Sequence, residues 1–287
     1  MLRVIFRLLD VIFPSLNSSS AAVRAEAALV VGSAVQSNPK VQISMLEGGG
    51  ISILLRLIAL DPDAIVRSRG VYALSCLVRR FPTAQTKLVR DGGLSALATL
   101  FSSERQEDLK LQVKVVTLLR DLIMERLEAE KLLAEGDTEA SPDAVEKVRQ
   151  YKLAGLEEKL VQTGWCERLP RLLYAQSSSK SRTGKRDDLS SAITKQLSVR
   201  PEHDVVEKVV GAIQALSELC ADKFGNDATL YATLVDLKLW YNDLASLEQS
   251  DSHAGSDSED QLYFTKLSKL LLDVISKLQI SYTKDEL

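Results

Sequence analysis

Glu-Gly-Gly-Gly-Ile at residues 47–51 is the clearest indication of how this 287-residue chain folds, because a similar segment, Arg-Asp-Gly-Gly-Leu, follows at residues 90–94. The two segments coincide when residues 23–60 are aligned with residues 66–103 at a constant offset of 43 residues, without a gap. The same offset superimposes two further pairs: Pro39 on Pro82 and Gln42 on Gln85. An internal period of about 40 to 47 residues is typical of helical-repeat proteins. The sequence therefore predicts helical modules that stack on one another.

Each module reads as three helices. Residues 66–81 carry an apolar stripe at helical spacing. Pro82 suits the first turn of the next helix, because its missing N–H costs little there. Gly92 and Gly93 end this short second helix, since glycine adopts a positive φ without a steric penalty. A third helix is expected over residues 94–101.

The pattern continues with one interruption. Residues 111–123 match residues 66–78 at an offset of 45 residues, and a charged helix follows to residue 135. Ser141 and Pro142 are typical of a new helix start. The sequence predicts one helical-repeat domain over residues 1–280, with repeats at about 23–65, 66–108, 109–175 and 201–247 and a closing helix at 261–278. Residues 177–200 are predicted to be a loop insert, 248–260 an acidic linker and 281–287 a tail.

The glycine pair resembles a known repeat motif. In armadillo repeats a double glycine separates the second and third helices, as it does in residues 47–51 and 90–94. The resemblance implies an all-α fold, an armadillo-repeat solenoid with a right-handed superhelical form.

The carboxyl end predicts the cellular compartment. Lys284, Asp285, Glu286 and Leu287 spell K-D-E-L, which is read by the KDEL receptor that returns escaped proteins to the endoplasmic reticulum. We therefore expect a protein of the endoplasmic reticulum lumen. Asn17 begins an N-glycosylation sequon, Asn-Ser-Ser, which requires exposure in that lumen.

The amino end does not resemble a secretory signal. Residues 1–13 are interrupted by Arg7 and Asp10, whereas a signal sequence has an unbroken apolar stretch. The segment instead predicts an amphipathic helix. Its apolar side would carry Leu2, Ile5, Leu8, Leu9 and Ile12. We expect the signal sequence to lie upstream, in a longer protein.

Composition favours a folded binding protein over other classes. The net charge of −3 argues against a nucleic-acid partner, which would require a basic face. No apolar stretch of about 18 residues is present, so no membrane span is expected. No phosphate-binding glycine loop and no Cys/His cluster for a metal is found, so neither a cofactor nor an enzymatic activity is expected. His203 and His253 are assigned to loop-like segments without a catalytic partner.

The three cysteines do not suggest a disulfide framework, because they are few and odd in number. Cys76 and Cys220 lie in apolar helical patterns, which predicts small buried hydrophobic side chains.

Four further segments carry a more specific resemblance: Arg80–Gln85, Val115–Leu122, Gly164–Cys166 and Pro201–Asp204. With the interrupted third repeat, they resemble the lumenal, BiP-associated branch of the armadillo-type nucleotide exchange factors for seventy-kilodalton heat-shock chaperones. The similarity covers roughly residues 23–278, although residues 177–200 depart from the pattern. It implies that the chain binds the nucleotide-binding domain of BiP and promotes ADP release, without making or breaking a bond.

The armadillo resemblance also indicates candidate partner residues, because third helices generally line the concave face of armadillo proteins. The matching positions are Ser52, Arg56 and Ala59; Ser95, Thr99 and Ser102; Glu167, Arg171 and Tyr174. The predicted contacts are Arg56, Thr99, Glu167, Arg171 and Tyr174, with arginine and tyrosine favoured because they are enriched at interface hot spots. Trp165 fits the core and the contact surface equally well.

Two other functions stay open at this point. One is an armadillo-type adaptor that holds extended client peptides. The other is a thiol reductase that uses Cys76, Cys166 or Cys220.

Overall fold

The computed structural model describes residues 11–102, 109–135, 141–174, 201–252 and 262–284. Every regular element in these ranges is a helix, which confirms the predicted all-α fold. The chain divides into two compact units, unit 1 (Met1–Trp165) and unit 2 (Cys166–Leu287).

Unit 1 contains two complete three-helix modules and the first helices of a third. Its helices are α1 (Ala21–Val35), α2 (Pro39–Glu47), α3 (Gly50–Leu60), α4 (Ala64–Val78), α5 (Pro82–Arg90), α6 (Gly93–Ala98, continued by a 3-10 turn at Thr99–Phe101), α7 (Leu109–Glu135), α8 (Pro142–Leu153) and α9 (Leu156–Gln162). The first module, α1 to α3, stacks on the second, α4 to α6: α1 packs on α4, and α3 packs on α4 and α6. Three helices per repeat with this stacking are the armadillo pattern that the sequence predicted.

A glycine with a left-handed backbone precedes the third helix of each module. Gly49, Gly92 and Gly164 have φ values of 78°, 75° and 73°. The next residue has a separate requirement in the first two modules. A Cβ atom on Gly50 would lie 2.7 Å from the carbonyl oxygen of Met45. A Cβ atom on Gly93 would lie equally close to that of Leu88. The first glycine therefore supplies the turn, and the second allows a close backbone approach.

Gly92→Ala and Gly93→Ala are expected to destabilise the protein for different reasons. A Cβ atom on Gly92 meets nothing within 4 Å, so the cost is the positive φ, about 1 kcal/mol. The collision at Gly93 costs about 2 kcal/mol. Asparagine tolerates a positive φ, so Gly92→Asn should recover stability while Gly93→Asn should not. Urea unfolding measures all four variants, and equal losses for the two asparagine variants would contradict the assignment.

Arg24 and Arg67 occupy equivalent places in α1 and α4, 43 residues apart. Nη1 of Arg24 donates to the carbonyl groups of residues 18 and 19 at 2.8 and 3.1 Å. Nη1 of Arg67 donates to those of residues 61 and 62 at 2.8 and 2.9 Å. Each arginine thus satisfies two carbonyl groups of the loop before its own helix, which the repeat period alone did not reveal.

Arg24 also binds Asp61, in the loop that precedes α4. Its Nε and Nη2 donate to the two carboxylate oxygens at 2.6 and 2.9 Å. The two side chains are only 13% and 4% exposed. Burial acts to raise the pKa of Asp61, but hydrogen bonds from Arg24 and the Asp63 amide, with the charges of Arg24 and Arg67, lower it overall.

Asp61→Asn is expected to lower the free energy of unfolding by about 2 kcal/mol at pH 7, because Arg24 loses its anion in a largely buried place. The stability that Asp61 contributes is fully present above about pH 4, the ordinary aspartate pKa. It is lost as the pH falls through the lower pKa of the folded protein. Urea unfolding should therefore show the difference between wild type and variant shrinking below pH 4. A difference that stays constant down to acid pH would contradict this role.

The third module contains the predicted interruption. α7 runs for 27 residues and includes both the matched segment and its charged continuation. Ser141 accepts a hydrogen bond from the Ala144 amide at 3.2 Å, and Pro142 opens α8, as predicted. α8 packs on α7 and α5, and α9 packs on α5.

In unit 2 the last helix packs on three of the other helices. Its helices are α10 (Trp165–Tyr174, which begins at the last residue of unit 1), α11 (His203–Ala215), α12 (Ala221–Gly225), α13 (Ala228–Ser252) and α14 (Tyr263–Lys284). α14 packs on α11, α12 and α13. Residues 248–252, which composition assigned to an acidic linker, are the end of α13, and the Glu248 carboxylate accepts a hydrogen bond from the Phe264 amide at 3.1 Å.

His203 is not in a loop, contrary to the sequence prediction, but is the first residue of α11. Its Nδ1 lies 2.8 Å from the Tyr241 hydroxyl oxygen. Its ring stacks on Trp240 at a centroid distance of 5.1 Å and meets the edge of Phe264 at 5.0 Å. The aromatic residues of α13 and α14 that surround it are 37 or more positions away, so local patterns could not identify this packing role.

The expectation that the cysteines form no disulfide is wrong. Cys166 and Cys220 are bonded to each other, across 54 positions of sequence, and each is 2% exposed. They meet because the start of α10 lies against the turn before α12. Cys76 is the free cysteine, and burial raises the pKa of its thiol.

Several of the sequence predictions concern residues outside the described ranges. These are Leu2, Ile5, Leu8 and Leu9 of the N-terminal helix, the insert at 177–200, His253 and the tail residues Asp285, Glu286 and Leu287. Lys284 is the last residue of α14. No single described helix is long and apolar enough to cross a membrane, although α2 and α3, bent by 76°, pass that test of length and composition as a pair.

Candidate partner-binding surface

Polar side chains occupy two fixed places on the third helix of each module, three and seven residues after the left-handed glycine. These third-helix positions are Ser52 and Arg56, Ser95 and Thr99, and Glu167 and Arg171. The four-residue spacing puts each pair on one face of its helix. All are exposed except Thr99, which is half-buried, whereas the intervening Leu54, Leu97 and Leu169 are fully buried. The sequence prediction of a polar face on these helices agrees with this exposure.

In unit 1 the third-helix positions interact with neighbouring turns. The Ser52 hydroxyl donates to Asp91 at 3.0 Å, and Lys87 donates to the same carboxylate at 2.8 Å. Burial opposes ionisation, but these two hydrogen bonds and the lysine charge lower the pKa of Asp91 overall. Arg56 donates to the side-chain oxygen of Asn17. Thr99 donates to the Ala96 carbonyl of its own helix at 2.8 Å, so its hydroxyl group is less available to a partner.

In unit 2 the face of α10 is held by the segment that follows Cys220. Glu167 forms an ion pair with Lys223 at 3.1 Å. Burial would raise the pKa of Glu167, but the hydrogen bond and charge of Lys223 lower it overall. The Tyr174 hydroxyl donates to Asp227 at 3.1 Å. Burial raises the pKa of Tyr174, and the negative charge of Asp227 raises it further.

Arg171 differs from the other candidates. It is exposed, and it has no hydrogen bond or ion pair within the described part of the chain. An exposed guanidinium with five unused donors is suited to bind a carboxylate or carbonyl groups of another protein.

Other candidate residues separate into surface and core. Ser102 and Asn17 are exposed, and Ala59 is half-buried. Trp165 is fully buried and meets the Phe101 ring edge to face at 5.1 Å, so it belongs to the core. Sequence reasoning missed Asp91, Lys223 and Asp227. Of these, only Asp91 had a local signal, since it directly precedes the glycine pair.

A cavity of about 340 Å³ lies between α7, α8 and α9 of unit 1. Its lining includes Gln85, Arg126 and Glu157, and Arg126 pairs with Glu157. Gln85 and the Arg80 amide donate to Glu125 at 2.9 and 2.8 Å, and burial raises the pKa of that carboxyl group. In the described ranges no group of three or more His, Cys, Asp or Glu side chains is arranged to hold a metal ion. These polar groups are engaged in contacts that join α7 to α5, to the turn before it and to α9.

Comparison with known proteins relates this chain to one family. The model of the SIL1/FES1/HPBP1 C-terminal domain matches residues 4–184 and 185–279. The chain is similar to nucleotide exchange factor SIL1 of Rattus norvegicus, with 35% identity over 271 residues, which cover 94% of this chain and 50% of the relative. It is also similar to nucleotide exchange factor SIL1 of Xenopus laevis, with 32% identity, 94% of this chain and 51% of the relative.

More distant similarity extends to a fungal protein and a designed one. The Hsp70 nucleotide exchange factor FES1 of Coccidioides immitis is 38% identical over 65 residues, which are 23% of this chain and 31% of that protein. A designed armadillo repeat protein of known structure is 18% identical, with a TM-score of 0.43 over 93% of this chain and 99% of the other. The chain spans about half the length of the SIL1 relatives. Because the family model matches nearly its whole length, the chain belongs to the family of SIL1/FES1/HPBP1 C-terminal domains.

Proposed function

We propose that this chain is a nucleotide exchange factor, a co-chaperone that binds the nucleotide-binding domain of the lumenal heat-shock chaperone BiP and promotes release of ADP. The family match over residues 4–184 and 185–279 carries the proposal. The relatives that match over 94% of this chain are named as nucleotide exchange factors. In this proposal the chain supplies a binding surface for the chaperone and acts as a co-chaperone rather than as an enzyme.

The third-helix positions are proposed to contact the chaperone. In unit 1 these are Arg56 and Thr99, and in unit 2 they are Glu167 and Arg171, together with Tyr174 at the end of the same helix. The exposure of the two arginines supports their role, since arginine is enriched among residues that dominate binding energy. Arg171 carries the most weight because no hydrogen bond or ion pair to another described residue competes with the partner for its guanidinium group.

Exchange by such a protein follows from linked equilibria. If the chain binds the nucleotide-free chaperone more tightly than the ADP-bound form, it must weaken ADP binding by the same factor. Each tenfold weakening requires about 1.4 kcal/mol of differential contact free energy. A few well-formed contacts at the third-helix positions are enough to supply this difference.

Residues 284–287 are proposed to retain the protein in the endoplasmic reticulum through the KDEL receptor. The exposed Asn17 is proposed to carry an N-linked glycan. Fusing the chain to a secretory signal and deleting residues 284–287 should move the protein from the cell into the medium. A fusion that is retained without them would contradict the retrieval role.

Release of a fluorescent ADP analogue from purified BiP, followed by stopped flow, tests the exchange function. The chain should accelerate release at least tenfold at saturation. Arg56→Glu and Arg171→Glu should each lower the apparent affinity about tenfold, which corresponds to about 1.4 kcal/mol. Lys40→Glu and Lys269→Glu are matched controls, because both lysines are exposed and belong to α2 and α14 rather than to a third helix.

Binding to BiP without acceleration of ADP release would contradict the proposal. Binding to extended peptides in the absence of BiP would instead support an adaptor. If the control lysine variants weaken binding as much as the arginine variants do, the interaction is general electrostatic attraction and the third-helix positions are not the site.

A further inference from the structure

Three contacts join α10 to residues 220–227, a segment of unit 2 that contains α12. The first is the Cys166–Cys220 disulfide at the start of α10. The second is the Glu167–Lys223 ion pair at 3.1 Å. The third is the hydrogen bond from Tyr174 to Asp227 at 3.1 Å, at the far end of the helix. The same segment therefore holds both ends of the α10 face that carries the proposed contacts.

The three contacts differ greatly in strength. Glu167 and Lys223 are 43% and 57% exposed, and ion pairs between such exposed side chains contribute little in water. A single hydrogen bond of a half-buried tyrosine is also modest, because water competes for both groups. α12 has five residues, too few to be a stable helix without other support. The disulfide is the one strong constraint among the three.

The burial of this disulfide distinguishes it from the accessible cysteine pair of a thiol-exchange enzyme. Cys166 and Cys220 are each 2% exposed. Thiol–disulfide exchange needs an accessible sulfur atom for the attacking thiolate. The bond therefore has a structural role in the folded chain, where it positions α10 relative to residues 220–227.

We infer that the Cys166–Cys220 disulfide positions the α10 part of the partner surface, so that the disulfide-bonded chain binds its partner more tightly than a chain without the bond. This inference rests on the proposed function for its affinity readout. Cys166 and Cys220 are positioning residues and do not themselves touch the partner.

The disulfide affects the charge and orientation of two side chains on α10, Glu167 and Tyr174. With residues 220–227 in place, Lys223 neutralises Glu167, and Asp227 fixes the Tyr174 hydroxyl group. Without the bond, residues 220–227 are held by the packing of α12 on α14 and by the two weaker contacts. A shift of this segment away from α10 leaves Glu167 without Lys223 and Tyr174 without Asp227, next to Arg171. A free Glu167 also competes with the partner for the guanidinium group of Arg171, its neighbour four residues along the helix.

Cys166→Ala/Cys220→Ala in the full chain tests the inference, with Cys76→Ala as the control that leaves the disulfide intact. Both are measured at a temperature where far-UV circular dichroism shows a fully folded protein. The double variant should bind nucleotide-free BiP about tenfold more weakly, and the control should bind as wild type. Independently of any partner, NMR titration should show the pKa of Glu167 rising toward its ordinary value and that of Tyr174 falling.

Two further variants keep the test decisive if the double variant is poorly folded. Lys223→Met and Asp227→Asn remove the weaker contacts and retain the disulfide. Each should weaken binding less than threefold, because each variant loses one of the two polar contacts while the disulfide keeps residues 220–227 and the other contact in place. A tenfold loss in either would overturn the inference, because the non-covalent contacts would then position α10.

The outcomes separate the two proposals. If wild type does not bind BiP, the proposed function fails, and the NMR titrations alone decide the positioning role. If wild type binds and the double variant retains both its affinity and its Glu167 and Tyr174 pKa values, the positioning role is overturned and the proposed function stands.

Discussion

Replacing both Cys166 and Cys220 with alanine is expected to lower the free energy of unfolding of unit 2 by about 4 kcal/mol. The disulfide closes a loop of 54 positions, and a cross-link of that span removes about 4 kcal/mol of conformational freedom from the unfolded chain. The fluorescence of Trp240, the tryptophan of unit 2, should follow the transition in urea. A background with Trp165→Phe leaves Trp240 as the single tryptophan.

The matching control is Cys76→Ala, which removes a half-buried thiol without affecting the cross-link. It should change stability by less than about 1 kcal/mol. Wild type in a strong reductant, unfolded and refolded, should behave as the double variant does. If the double variant and the control lose the same small amount, the cross-link does not restrict the unfolded chain as the loop length requires.

The sequence predicts the local architecture of unit 1 because residues with strong backbone preferences mark the helix ends in its modules. The glycines at 49, 92 and 164 adopt the left-handed backbone expected of them. Pro82 opens α5, and Ser141 caps α8. These features depend on residues within one or two helical turns, where glycine, proline and serine have strong backbone preferences.

Contacts between distant residues were beyond the same reasoning. Cys166 and Cys220 are 54 positions apart, and His203 and Tyr241 are 38 apart. Their pairing depends on how whole helices pack, which spacing within one helix does not specify. An odd number of cysteines is weak evidence against a disulfide, since one bonded pair and one free thiol also give three.

For the candidate partner surface, too, the sequence predicted local features and missed contacts between distant residues. Helical spacing predicted that the candidate side chains lie off the apolar stripe, and Arg56, Glu167 and Arg171 are exposed, whereas Thr99 and Tyr174 are half-buried. Spacing could not predict what those side chains bind within the chain. Lys223 and Asp227 come from a segment with no repeat signature, and Thr99 donates its hydrogen bond to its own helix.

Trp165 is where the third module departs from the other two, because it stands where they have a second glycine. It is fully buried, and its ring meets Phe101 edge to face at 5.1 Å. Its indole N–H is buried and has no acceptor among the described residues. The side chain therefore contributes apolar area and aromatic contact, while its one polar group is a cost.

Trp165→Ala is expected to lower the free energy of unfolding of unit 1 by about 4 kcal/mol, because it leaves a large cavity in the core. Trp165→Phe should cost less than about 1.5 kcal/mol. Phenylalanine keeps a ring against Phe101, and it removes an unpaired N–H whose burial costs about 1 to 3 kcal/mol. Urea unfolding monitored by far-UV circular dichroism gives both values. If phenylalanine costs as much as alanine, the indole N–H must be hydrogen-bonded, and Trp165 then anchors the third module through a polar contact rather than through apolar packing.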